Sequence, residues 1–132
     1  MNEDRQIDWS GWFLRGCVGV AFVYIGFGKF DETPNGEWIR IFERIGFGQW
    51  FRHATGVVEI LGGVLLVLPR TKIVGAVLLG AAMIGAIITH FTVMHDAALS
   101  IIPLALLVAV IGVAVRIPDE PLENRKKKRR TT

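Results

Sequence analysis

Glu59, His90 and Tyr24 are polar side chains set inside otherwise apolar runs, where an ionisable or hydroxyl group is costly to keep unless it has a partner or a task. Tyr24 lies five residues before Lys29, Glu59 five after Ala54, and His90 four before Met94. At 1.5 Å per residue, each sits about 6 to 8 Å below the same membrane boundary. Ser100, three residues into the last apolar run, falls in this layer, and Lys29, His53 and His95 surround the mouth above it. A carboxylate and an imidazole at one depth suit proton exchange, so Glu59 and His90 are the candidate catalytic pair. Tyr24, Lys29, Ser100 and His53 are the candidate ligand-binding groups, able to hydrogen-bond a headgroup from the lipid phase. The competing reading is architectural: a buried Glu59 to His90 hydrogen bond that fixes the register of two helices.

Metal and haem chemistry find less support. His53, Glu59, His90, His95 and Asp96 include enough donors for zinc, but their spacing matches no zinc signature. His53 and His90 differ in depth by about 8 Å or more, which does not suit axial ligation of one haem. No metal site is expected, and no covalently bound cofactor. Cys17 is the single cysteine, so a Cys-x-x-Cys thiol relay is excluded.

The elements that must position these groups are helices. Ile73 to Met94 and Ala97 to Val115 contain no Asp, Glu, Lys or Arg, whereas the six residues Arg125 to Arg130 are all Lys or Arg. That segregation fits lipid and water better than one soluble core. Four apolar spans are expected, at about 12–28, 54–68, 73–94 and 97–115, within one domain covering 1–118. Lys29 and Arg15 bracket the first span and are expected to snorkel toward headgroups. The leader is acidic and no small-residue cleavage site follows the first span, so it is expected to remain in the mature protein.

The second span is short, about 22 Å, and reaches membrane thickness only by borrowing the turn around Phe51. Pro103 falls in the second turn of the fourth span, where a mild kink is expected. Between spans one and two, Thr33-Pro34-Asn35-Gly36 forms a turn cluster. Trp38, Ile41, Phe42 and Ile45 then recur three and four apart, with Glu37, Arg40, Glu43 and Arg44 opposite. This pattern predicts an amphipathic interfacial helix over about 36–46, ended by Gly46-Phe47-Gly48. The fold class is therefore all-α, an integral membrane four-helix bundle with an interfacial helix between spans one and two.

Of the fifteen Lys and Arg residues, eleven fall on the side of the termini and four on the side of the interfacial helix. The positive side is cytoplasmic, which places both ends inside, the interfacial helix outside and the polar layer in the outer leaflet. The net charge of +3 comes largely from the tail, 119–132. Beside a membrane span, Arg125 to Arg130 are read as a topology signal held against anionic lipid, and no nucleic-acid partner is expected.

Arg15 with Gly16, Gly26-Phe27-Gly28-Lys29-Phe30, Ile45-Gly46-Phe47-Gly48, Gly56-Val57-Val58-Glu59-Ile60-Leu61-Gly62-Gly63, Gly75-Ala76 and Met83 together resemble the DoxX family of small four-span bacterial membrane proteins. The Gly-x-x-Glu-x-x-Gly-Gly segment is the most specific of these, and Thr89-His90 resembles a DoxX-like subgroup. The resemblance implies a compact membrane bundle and an accessory role beside redox or detoxification enzymes, with a quinone as the cofactor class. A chain this short with one cysteine and no haem or flavin motif is not expected to move electrons alone, so a protein partner or a homo-oligomer is implied. The alternatives are a non-enzymatic scaffold or assembly module and a small-solute carrier.

The cation asymmetry makes a direct prediction. In a Cys17→Ser background, a maleimide that cannot cross membranes should label a cysteine placed at Asn35 in intact cells, and should reach one at Thr132 only after lysis. Labelling at both positions without lysis would contradict the orientation.

Overall fold

In the computed structural model, residues 9–116 and 130–131 are described. They form five helices: α1 (Trp9–Gly28), α2 (Glu37–Ile45), α3 (Gln49–Val67), α4 (Lys72–Thr92) and α5 (Ile101–Val115). No strand occurs among the described residues. α1, α3 and α4 are each long and apolar enough to cross a membrane, while α5 is a shorter apolar helix of 15 residues. Consecutive long helices pack side by side, with α5 against α4 and touching α1 only lightly. Arg125 to Arg129, which carry most of the basic tail, lie outside the described residues, as does Arg5.

α1 and α3 approach through glycines. A Cβ at Gly19 would lie 2.8 Å from the Gly63 carbonyl oxygen, and one at Gly26 would lie 2.8 Å from that of Gly56. The reverse contacts are equally close: 2.7 Å from Gly63 to the Gly19 oxygen and 3.0 Å from Gly56 to that of Gly26. In lipid no hydrophobic effect drives helices together, so close backbone approach and dispersion must do so. Each helix presents its pair seven residues apart, two turns on one face.

The same spacing defines a full stripe. On α1, Arg15, Gly19, Phe22, Gly26 and the adjoining Lys29 are buried; on α3, Arg52, Gly56, Glu59, Gly63 and Leu66 are buried. α4 joins from the other side of α3. Its Gly75 packs 2.5 Å, measured from an added Cβ, from the Leu66 nitrogen, and Leu79 seats on Gly62. Phe22, Leu66 and Leu79 are fully buried at the centre, with Val18, Met83, Val110 and Val113 around them.

Helix ends differ most from expectation at the starts of α3 and α5. α3 begins at Gln49, so the second apolar run gains a turn and a half at its start, and Arg52 and His53 are helical residues rather than parts of a loop. α5 begins only at Ile101, because Ala97 to Ser100 close a turn with Ser100 N–H donating to the Ala97 carbonyl. Pro103 is thereby the third residue of its helix, where its missing N–H leaves no intrahelical bond unmade.

The amphipathic helix appears at Glu37–Ile45, with Phe42 buried and Arg40 and Arg44 exposed. Asn35 at φ 61° closes the turn before it, where Gly36 N–H donates to the Thr33 carbonyl at 2.8 Å. Gly46 at φ 84° ends it in the left-handed conformation.

Gly63→Ala should destabilise the bundle by about 1 to 3 kcal/mol, since the added methyl meets a backbone carbonyl that cannot move aside. Gly85→Ala meets nothing within 4 Å and should be neutral or slightly stabilising. Unfolding in detergent, followed by circular dichroism, compares the two; equal losses would mean that the glycine contacts do not hold the helices together.

Candidate functional site

The register of α1 on α3 puts Lys29 one turn above Glu59. Instead of snorkelling outward, the lysine turns in: its Nζ donates to Glu59 Oε1 at 2.7 Å, and the two side chains are 7% and 3% exposed. α2 lies over the pair. The Trp38 ring centroid is 5.0 Å from Lys29 Nζ and that of Phe42 is 5.7 Å away, so the ammonium has a carboxylate below and two aromatic rings above it. Glu59 Oε2 is buried and has no hydrogen-bond partner.

A second layer holds this lid in place. Arg52 is 1% exposed, and its guanidinium donates to the Lys29 carbonyl, to the Asp31 carbonyl at 3.1 Å and to Glu32 Oε1 at 3.0 Å. Its Nε donates to Gln49 Oε1 at 2.6 Å, while Gln49 Nε2 donates to the Ile39 carbonyl of α2 at 3.2 Å. One arginine thus ties the end of α1, the following loop and, through Gln49, the covering helix. Glu32 Oε1 also meets His53 Nε2 at 3.0 Å, and the His53 ring stacks on Phe30 at 5.3 Å.

The loop carboxylates are acidified by these contacts. Hydrogen bonds from Arg52 and then His53 hold Glu32 below the usual glutamate range, and those from Thr33 do the same for Asp31.

The expected pairing of Glu59 with His90 is replaced by Glu59 with Lys29. The register set by Gly62 against Leu79 places His90 about 12 Å along α4 from the level of Glu59. Depth counted from Ala54 misses this, because α3 starts at Gln49 and Glu59 lies ten residues inside it. His90 does lie on the stripe of Met83 and Ala86, and its Nδ1 is buried without a hydrogen-bond partner.

The remaining candidates stand apart from the ion pair. Tyr24 is 80% exposed, on the face of α1 turned away from α3, because it is two positions from both Phe22 and Gly26. Ser100 is buried, but its hydroxyl donates to the Ala97 carbonyl at 2.5 Å within its own turn. His53 belongs to the Glu32 latch. Among the described residues, no three or more His, Cys, Asp or Glu side chains gather as metal donors.

Composition and depth do not mark Arg52 or Gln49 as site residues, and they place Trp38 and Phe42 only on the interfacial helix. A signal for Arg52 exists: it precedes Gly56 by four residues and Glu59 by seven, the spacing of one helix face.

A model of the DoxX-like family matches residues 13–113, which include α2, α3 and α4 whole, most of α1 and α5, and the ion pair. The chain belongs to the DoxX-like family. With three helices able to cross a bilayer, this DoxX-like chain is a small membrane protein. No curated protein and no solved structure matches it.

Because Glu32 is acidified in the fold, its contribution to holding the loop is present above the ordinary glutamate range and is lost as pH falls through its lowered folded value. Hydrogen-exchange protection factors over 31–36, which remove the pH dependence of intrinsic exchange, should therefore be high near neutrality and fall in acid. Glu32→Gln should have low protection at neutral pH and lose most of the acid response; an unchanged protection profile in that variant would place the latch elsewhere.

Proposed function

We propose that this protein is an accessory subunit of a quinone-linked redox system in the bacterial plasma membrane, with both termini cytoplasmic and the Lys29–Glu59 site in the outer leaflet. One observation carries the reading: a carboxylate buried in a membrane helix keeps one oxygen satisfied by an ammonium and the other unsatisfied. Intramembrane ionisable groups are expensive and commonly serve transport of protons or recognition of ligands. Lys29 supplies a donor, Glu59 an acceptor and proton carrier, and Trp38 with Phe42 an apolar cover that excludes water from both. His90, further along α4 with an unpartnered ring nitrogen, serves in this reading as a separate proton-exchanging group.

A scaffold reading is favoured by a different feature. An apolar groove of about 230 Å³ runs between α4 and α5, lined among others by Ile73, Val77, Gly80, Leu107, Ile111 and Ala114. Such a surface suits a partner's transmembrane helix.

Purification in mild detergent separates the two. Quinone extracted at close to one molecule per chain, and lost when Lys29→Gln and Glu59→Gln are combined, is the expected result. The paired amides keep a hydrogen bond and avoid leaving a lone buried charge, a defect that would cost about 3 to 5 kcal/mol in either single variant. A stable co-purifying partner with no bound quinone would support the scaffold instead.

A further inference from the structure

The Lys29–Glu59 pair is unequal in what it still needs. The lysine donates to Oε1, and over it lie the rings of Trp38 and Phe42, whose faces accept positive charge. Glu59 is 2% exposed, and its Oε2 is buried without a protein donor. An ionised carboxylate can only accept hydrogen bonds, so the unmet demand here is for a donor. A carbonyl oxygen brought to Oε2 would set acceptor against acceptor; a hydroxyl would supply the missing proton.

The walls say what carries that hydroxyl. Phe42 packs edge-on against Phe51 at 5.8 Å, and Phe51 in turn meets Phe47 at 5.3 Å and Trp50 at 5.7 Å, all in edge-to-face contacts. Phe47 and Trp50 are 65% and 68% exposed. An unbroken run of aromatic contacts therefore links the apolar surface to the ring that covers the ion pair. α2 is joined to this path by Gly46 and Gly48, both at positive φ, and is bonded to α3 through Gln49. A flat ring arriving from the hydrocarbon phase can exchange for these edge-to-face contacts without exposing polar groups.

We propose that this site takes up a lipid-soluble aromatic alcohol, such as the reduced hydroxyl form of a quinone, with Glu59 Oε2 accepting its hydroxyl under the lid of Trp38 and Phe42. The proposal rests on reading Lys29–Glu59 as a headgroup site and adds which redox form that site prefers. The lid ring stacks on the ligand, and the hydroxyl proton is the feature by which the reduced form is distinguished.

Calorimetric titration of the full chain in nanodiscs with a short-tailed ubiquinol under nitrogen, and with the matching quinone, tests this. The quinol should bind at least about tenfold more tightly than the quinone, the effect of satisfying one buried acceptor. A 4-alkylphenol, which keeps one hydroxyl, should share that preference. Trp38→Leu, outside the ion pair, should weaken quinol and quinone together and leave their ratio unchanged. The combined Lys29→Gln and Glu59→Gln chain, checked for folding by circular dichroism, should bind both forms weakly and without preference. Quinone binding as tight as quinol overturns the hydroxyl preference and leaves the headgroup site standing. Heats no larger than those of empty nanodiscs for every ligand overturn both.

Discussion

Backbone-to-backbone contact between α1 and α3 is the constraint on which the rest of the molecule depends. Gly19 on Gly63 and Gly26 on Gly56 bring the two helices closer than any side chain would permit. That closeness sets Lys29 within a single hydrogen bond of Glu59 and brings the guanidinium of Arg52 onto the carbonyls that end α1. A wider spacing would leave each charge facing lipid, or else a water-filled gap. Small residues and buried charges are thus two parts of one arrangement: the glycines lower the distance, and the distance makes the charges tolerable.

Burial alone does not make the ion pair a source of stability, because removing two charges from water costs about as much as their attraction returns. In the reading proposed above, the arrangement acts instead as a selector of what binds. Arg52 illustrates the contrast. Four of its five guanidinium N–H groups donate to backbone and side-chain oxygens, whereas Glu59 keeps an oxygen open.

Much of this is legible in the amino-acid sequence. Long uncharged runs announce the helices, the three-and-four spacing of Trp38, Ile41, Phe42 and Ile45 announces α2, and Glu59 stands out by its cost. What is not legible is register. Hydropathy treats Arg52 as the edge of an apolar run, so it starts the helix at Ala54 and assigns Glu59 a depth near that of His90. The structure starts the helix at Gln49, because Arg52 finds its oxygens inside the protein rather than in water. Once Arg52 is counted with Gly56, Glu59 and Gly63 on one face, Lys29 emerges as its counterpart on Arg15, Gly19, Phe22 and Gly26. Partner choice for a buried charge follows from backbone distance, which composition does not encode.

α5 carries a consequence of a different kind. With 15 residues it is about 22 Å long, against roughly 30 Å of hydrocarbon in an ordinary bilayer. The long α4 beside it extends over 21 residues. A bilayer bordering both helices matches the two only if α4 tilts more steeply or lipid on the α5 side thins relative to lipid on the α4 side. Such a thickness step costs fractions of a kcal/mol per ångström, enough to gather shorter-chain lipids, or neighbouring proteins with an equally short flank, along that edge of the molecule.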